Sequence, residues 1–143
     1  MLKGIDPLLS ADLLHALATM GHGDEIAIVD ANFPAASTAR RLLRLDGASA
    51  SEALQAVLGV LPLDDFVEQP AAVMAVVGGS DEEPEAVAEF RRIAAAAEGH
   101  PVAFESIERL AFYDRARQAF AIVATGERRL YGNIIVTKGV IHP

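Results

Sequence analysis

Apolar positions near the start of the chain recur at helical spacing. In "ADLLHALATM", Leu13, Leu14, Leu17 and Met20 fall on one face of a 3.6-residue period, and Ser10 stands before it as an N-cap. Gly21 is placed to end that helix in a left-handed turn. "EIAIVDA" then breaks the period with a continuous apolar run, short enough to be a buried strand. Pro34 stops regular structure after it, and "RLLRLDG" reads as a second strand closed by Asp46 and Gly47. Ser49 or Ser51 caps a second helix over "EALQAVLGVL", which ends near Pro62. "AAVMAVVGG" is the most strand-like run, apolar throughout as in a sheet covered on both faces.

"SDEEPEAVAEFRRIAAAAEGHP" is the clearest helix. Acidic residues crowd its start, Pro84 falls in its first turn, and Gly99 and Pro101 end it. "VAFESI", a short helix in "RLAFYDRARQAF", "AIVATG" and "NIIVTKGVI" follow. Strands alternate with helices, so the pattern predicts an α/β fold: one domain over residues 1–143, with a largely parallel central sheet flanked by helices. No internal repeat, linker or low-complexity tract interrupts it.

The bulk numbers sharpen this picture. A chain of 143 residues buries roughly 70% of the surface that its unfolded form exposes. Hydrophobic residues are 52% of the chain and aromatics only 6%, so the excess is aliphatic. With a mean hydropathy of +0.28, part of that surface is expected between subunits. The net charge of −8 argues against nucleic acid or an anionic membrane as partner. No cysteine is present, which excludes disulfides, thiolate metal sites and cysteine nucleophiles. Asp6 and Pro7 break what would be the apolar part of a signal peptide, and no apolar stretch is long enough to span a bilayer. A cytoplasmic location is expected.

Several motifs lead nowhere. "VVGGSDEEPE" puts glycines between strand and helix but lacks either phosphate fingerprint, and its carboxylates would repel a phosphate. Asp24-Glu25 and Asp64-Asp65 have no histidine at metal-ligand spacing, so no metal site is expected. His15 lies inside a helix, His100 precedes a proline, and His142 is in the tail. His22 follows a helix C-terminus, whose partial negative charge favours a protonated imidazole. It is either an acid/base group or a C-cap bonding the last carbonyls. Asp30 ends a strand expected to be central, where ligands of open α/β sheets collect; it is either an acceptor for a hydroxylated ligand or a cap for the next turn. Arg109 and the Tyr131-Gly132-Asn133 segment add donors, acceptors and an aromatic face, a set suited to a neutral polyol.

"MLKGIDPLLSADLLHALATMGHGDEIAIVDANFP", "ERLAFYDRARQAFAIVATGERRLYGN" and the "KGVI" ending resemble the L-fucose mutarotase and D-ribose pyranase family (RbsD/FucU) over nearly the whole chain. The resemblance implies a cofactor-free isomerase that interconverts anomers or ring forms of a free monosaccharide. It also implies a ring-shaped homo-oligomer, typically a decamer, with active sites where neighbouring subunits meet. Carried over by motif, His22 is the acid/base group, and Asp30, Arg109, Tyr131, Gly132 and Asn133 bind the sugar. Arg109 and Gly132 resemble the fucose branch, where the ribose branch has histidine and alanine. Asn32 is a departure, since some fucose-type members have histidine there. Phe33, Phe112 or Tyr113 would meet the apolar face or methyl of a deoxy sugar. "YGNIIVTKGVIHP", with few charges, is expected to be an uncovered strand edge that helps build the subunit contact. The alternatives are a non-catalytic sugar-binding or regulatory protein, which would not need His22, and a purely structural oligomer.

Overall fold

Local signals set most element boundaries in the computed structural model, which describes residues 1–143. The Ser10 hydroxyl accepts from the Leu13 N–H and starts helix α1 (Ala11–Thr19). Strand β1 (Glu25–Val29) follows, then a one-turn helix, α2 (Ala35–Thr38), and strand β2 (Leu42–Leu45). Of the two serines that could cap the next helix, Ser49 does. It makes a capping box with Glu52 at the start of α3 (Ala50–Leu58). Strand β3 (Ala71–Met74) leads to helix α4 (Glu85–Glu98), which Gly99 closes in the left-handed conformation. Strand β4 (Phe104–Ile107), helix α5 (Arg109–Gln118) and strands β5 (Ala121–Thr125) and β6 (Ile134–Thr137) complete the chain.

Three local expectations shift. Helix α1 ends at an extended Met20, and the left-handed residue is Gly23 rather than Gly21. Pro34 does not stop regular structure but stands at the N-cap of α2. Pro84 likewise stands at the N-cap of α4, so most of the acidic run lies ahead of that helix.

The sheet has six strands in the order β2-β5-β1-β6-β3-β4. β1, β2 and β5 pair in parallel, as do β3 and β4, but β6 runs antiparallel between β1 and β3. The expected largely parallel sheet is therefore mixed, with one reversed strand at its centre. The reason is the connection: residues 126–133 are too few for the helical crossover a parallel return requires. The C-terminal segment is consequently not an uncovered edge. All four β6 residues are buried, and the edges are β2 and β4.

Side chains alternate between two cores, as strand geometry dictates. Ile26, Ile28, Val123, Ile134 and Val136 face helices α1, α3 and α4, while Ala27, Val29, Ile122 and Ile135 face α2 and α5 with Phe33 and Phe112. No helix is long and apolar enough to cross a membrane.

This topology gives the sheet two rims. The C-terminal ends of β1, β3 and β4 and the N-terminal end of reversed β6 share one rim. The opposite rim carries the turn before β1, the continuation of β6 and the segment preceding β3.

Candidate active site

On the first rim, Asp30 and Asn133 bind each other through 103 residues of intervening chain. The Asp30 N–H donates to Asn133 Oδ1 at 2.8 Å, and Asn133 Nδ2 donates to Asp30 Oδ2 at 2.9 Å. The second carboxylate oxygen accepts the Asn32 N–H at 2.9 Å, so Asp30 caps the following turn while keeping lone pairs for a ligand. Both residues are buried. Burial pushes the Asp30 carboxyl above its usual range, and the nearby Glu127 charge adds to this against hydrogen bonds from Asn32, Asn133 and Phe33.

Tyr131 is the one non-glycine residue with positive φ, at 60°, and its hydroxyl accepts the Val77 N–H at 3.0 Å just beyond β3. The phenolic proton therefore remains available as a donor. Gly132 is fixed by close approach: a Cβ there would lie 2.6 Å from Glu127 Cγ. Glu127 cannot easily yield, because Arg129 grips its carboxylate and also bonds Glu89 and Ser51. These Arg129 bonds hold both carboxyls below their ordinary range. Ala31 N–H donates to Glu127 O at 2.8 Å, which ties the Asp30 turn to the same loop.

Arg109 opens α5 with its guanidinium 5.6 Å from the Tyr113 ring centre and no carboxylate partner. Tyr113 in turn meets Phe33 edge-on at 5.1 Å. Asp30, Asn133, Tyr131 and Arg109 thus stand on one rim, joined through Phe33 and Tyr113. Phe112 is fully buried beneath them and does not reach the surface. A cavity of about 490 Å³ opens beside Asp30 toward β2 and β5, lined also by Phe33, Arg44, Asp46 and Thr125.

His22 is not on this rim. β1 separates its turn from Asp30, a distance of about 20 Å at roughly 3.3 Å per residue. Nor does it cap α1: Lys138 Nζ donates to the terminal carbonyls of Leu17 and Met20 at 2.7 and 2.6 Å, so the C-cap role belongs to Lys138. His22 Nε2 instead lies 2.9 Å from Asp64 Oδ1, half-exposed against a buried carboxylate. Burial alone would raise the Asp64 carboxyl, but the Phe66 N–H and the bond and charge of His22 outweigh it and hold it below its ordinary range. A carboxylate offers no proton, so Nε2 carries the hydrogen and Nδ1 of neutral His22 keeps the free lone pair.

The continuation of β6 builds this pair. Lys138 O accepts the Gly23 N–H and Lys138 N–H donates to Asp24 O, while Asp64 N–H donates to Thr137 O on the other side. Nothing in the sequence singled out Asp64 as the partner of His22. It lies 42 residues from His22, and no local spacing joins the two.

The chain matches the RbsD / FucU transport protein family over residues 3–141. It is 49% identical to the fucose mutarotase of Homo sapiens over 98% of this chain and 94% of that one. The crystal structure of the fucose mutarotase from Streptococcus pneumoniae in complex with L-fucose superposes with a TM-score of 0.92. Identity there is 42%, over 99% of this chain and 100% of that one. Bacillus subtilis RbsD complexed with D-ribose is similar in fold, with a TM-score of 0.74 at 22% identity over 99% of this chain and all of that one. The sheet with a reversed central strand and the near full-length match agree: this chain belongs to the RbsD / FucU family.

Proposed function

We propose that the protein is an L-fucose mutarotase, interconverting the α and β anomers of the free sugar. The observation that carries this reading is the His22–Asp64 pair, an imidazole with a fixed tautomer and one free nitrogen. A protein that only bound sugar would have no use for it. The similarity to fucose mutarotases over nearly the full chain supports the sugar assignment.

The chemistry needs only proton movements. In the forward direction the anomeric hydroxyl loses its proton, the C1 to ring-oxygen bond breaks as the C1 carbonyl forms, and the ring oxygen takes a proton. The aldehyde then turns about the C1–C2 bond and recloses from its other face. Nδ1 of His22 accepts the hydroxyl proton, or delivers one when protonated, a role worth about 10²–10⁴-fold. Tyr131, whose hydroxyl proton is free, faces the hemiacetal as the second group. Asp30 and Asn133 accept and donate to sugar hydroxyls, with Gly132 holding that strip in place, and the unpaired Arg109 guanidinium adds donors.

Because His22 and the sugar-binding rim lie at opposite ends of one sheet, we place each active site between two subunits, one giving His22 and Asp64, the other giving the rim. Apolar side chains are exposed on both rims: Phe66, Val67 and Ile141 beside His22, and Val77, Leu110 and Leu130 beside Tyr131 and Arg109. Head-to-tail contact between two different surfaces forms a ring when the rotation from one subunit to the next closes. The proposal includes one mutarotase domain over residues 1–143 and a cytoplasmic homodecamer.

The test is saturation-transfer NMR between the anomers of L-fucose with parent protein and with His22→Ala. Exchange should fall to near the uncatalysed rate in the variant, with its circular dichroism and sugar binding retained. Exchange within twofold of the parent would remove His22 from the mechanism and favour a binding protein.

A further inference from the structure

Phe66 is 67% exposed in the single chain. Its ring nevertheless has two neighbours. The His22 imidazole lies 5.0 Å away, tilted by 55°, and the His142 ring stacks at 6.1 Å and 29°. Phe66 is also tied at its backbone, where its N–H donates to Asp64 Oδ1 at 3.1 Å, the same oxygen that faces His22. His142 in turn is anchored by Asp65, with Nε2 2.8 Å from Oδ2. Asp64, Asp65 and Phe66 therefore serve both imidazoles from three consecutive positions.

The hydrogen bond to Asp64 fixes one point of the His22 ring but leaves it free to turn about the line from Nε2 to Oδ1. Turning carries Nδ1 along an arc, and a proton transfer tolerates little such displacement. A ring packed against the imidazole removes that freedom. Aromatic pairs at 4.5–7 Å in tilted or offset geometry attract beyond simple area burial. Resting on the catalytic reading above, we propose that Phe66, backed by the His142 ring, is a positioning residue that holds the His22 imidazole with Nδ1 toward the reacting sugar.

The experiment compares Phe66→Leu, Phe66→Tyr, His142→Ala and His142→Phe in the intact oligomer, with kcat, KM and pH profile for L-fucose exchange and mass by light scattering. Phe66→Leu should lower kcat by about three- to tenfold while KM stays within about twofold, the scale of one aromatic contact. The loss should be uniform across pH, because no charge is removed, and Phe66→Tyr should restore the rate. His142→Ala should give a smaller loss of the same kind, reversed by His142→Phe. Parental kcat in Phe66→Leu overturns the proposal. So does a loss confined to KM, which assigns Phe66 to sugar contact, or one tracking reduced mass, which assigns it to a subunit contact. Should Phe66→Leu fail to fold, the two His142 variants decide. His22→Ala separates the two readings: if it is inactive while Phe66→Leu is parental, the positioning role alone fails.

Discussion

Asp64 orients His22, and the fold in turn favours the ionised form of Asp64. Replacing it with asparagine removes the charge that fixes the proton on Nε2, and exchange should fall by about 10- to 100-fold, a large share of what a positioned acid/base group contributes. The same substitution has a stability signature. A carboxyl held below its ordinary range contributes stability above its unfolded-state pKa, about 4, and loses it as pH falls toward the folded value. Parent and Asp64→Asn should therefore differ in melting temperature at neutral pH and converge below about pH 4. A constant difference across that range would mean the pair contributes by packing alone. Asp30 runs oppositely: burial raises its carboxyl, so its contribution is fullest in acid and is lost as pH rises through the raised value. The positions of His22, Asp30 and Asn133 at turns and strand ends were legible from the chain, because such places mark themselves locally. The pairing of Asp64 with His22 was not, since that contact depends on β6 passing between the His22 turn and residues 62–64.

Elements with caps were the most legible. Ser10, Ser49 and Gly99 each satisfy or end a helix through a bond that neighbours in sequence supply, so α1, α3 and α4 could be placed from the chain alone. The direction of β6 was hidden, because its apolar run reads the same in either sense and only the length of the preceding loop decides it. That loop is also where specificity and stability meet. Alanine at Gly132 would place a methyl against Glu127 Cγ, under a carboxylate locked by Arg129. Gly132→Ala should cost about 1–3 kcal/mol, as overpacking does, and weaken L-fucose binding by displacing Tyr131 and Asn133. Chemical denaturation and a sugar titration measure the two effects. Parental stability with altered binding would show instead that the loop moves as a unit and that Gly132 acts only on the ligand.

At the scale of the whole molecule, the aliphatic excess pointed to subunit contacts, but the uncovered strand edge expected to build one is not there. The last strand lies inside the sheet and Lys138 closes α1, so truncation from Lys138 would damage the fold rather than report on assembly. The two rims supply a cleaner test. His22→Ala and Asp30→Asn each disable one rim, so each homo-oligomer alone should be nearly inactive. If a site takes His22 from one subunit and Asp30 from its neighbour, mixed particles regain intact sites. A junction works when its His22 donor carries the Asp30 substitution and its sugar-binding partner carries the His22 substitution. Random mixing in equal amounts should therefore restore about a quarter of parental exchange, since each half of a head-to-tail site is intact with even odds. Subunits bearing different tags, captured in sequence, establish that both variants share a particle before exchange is measured by NMR. Co-assembled particles with no recovered exchange would mean that each chain completes its own site, and the two-rim arrangement would fall.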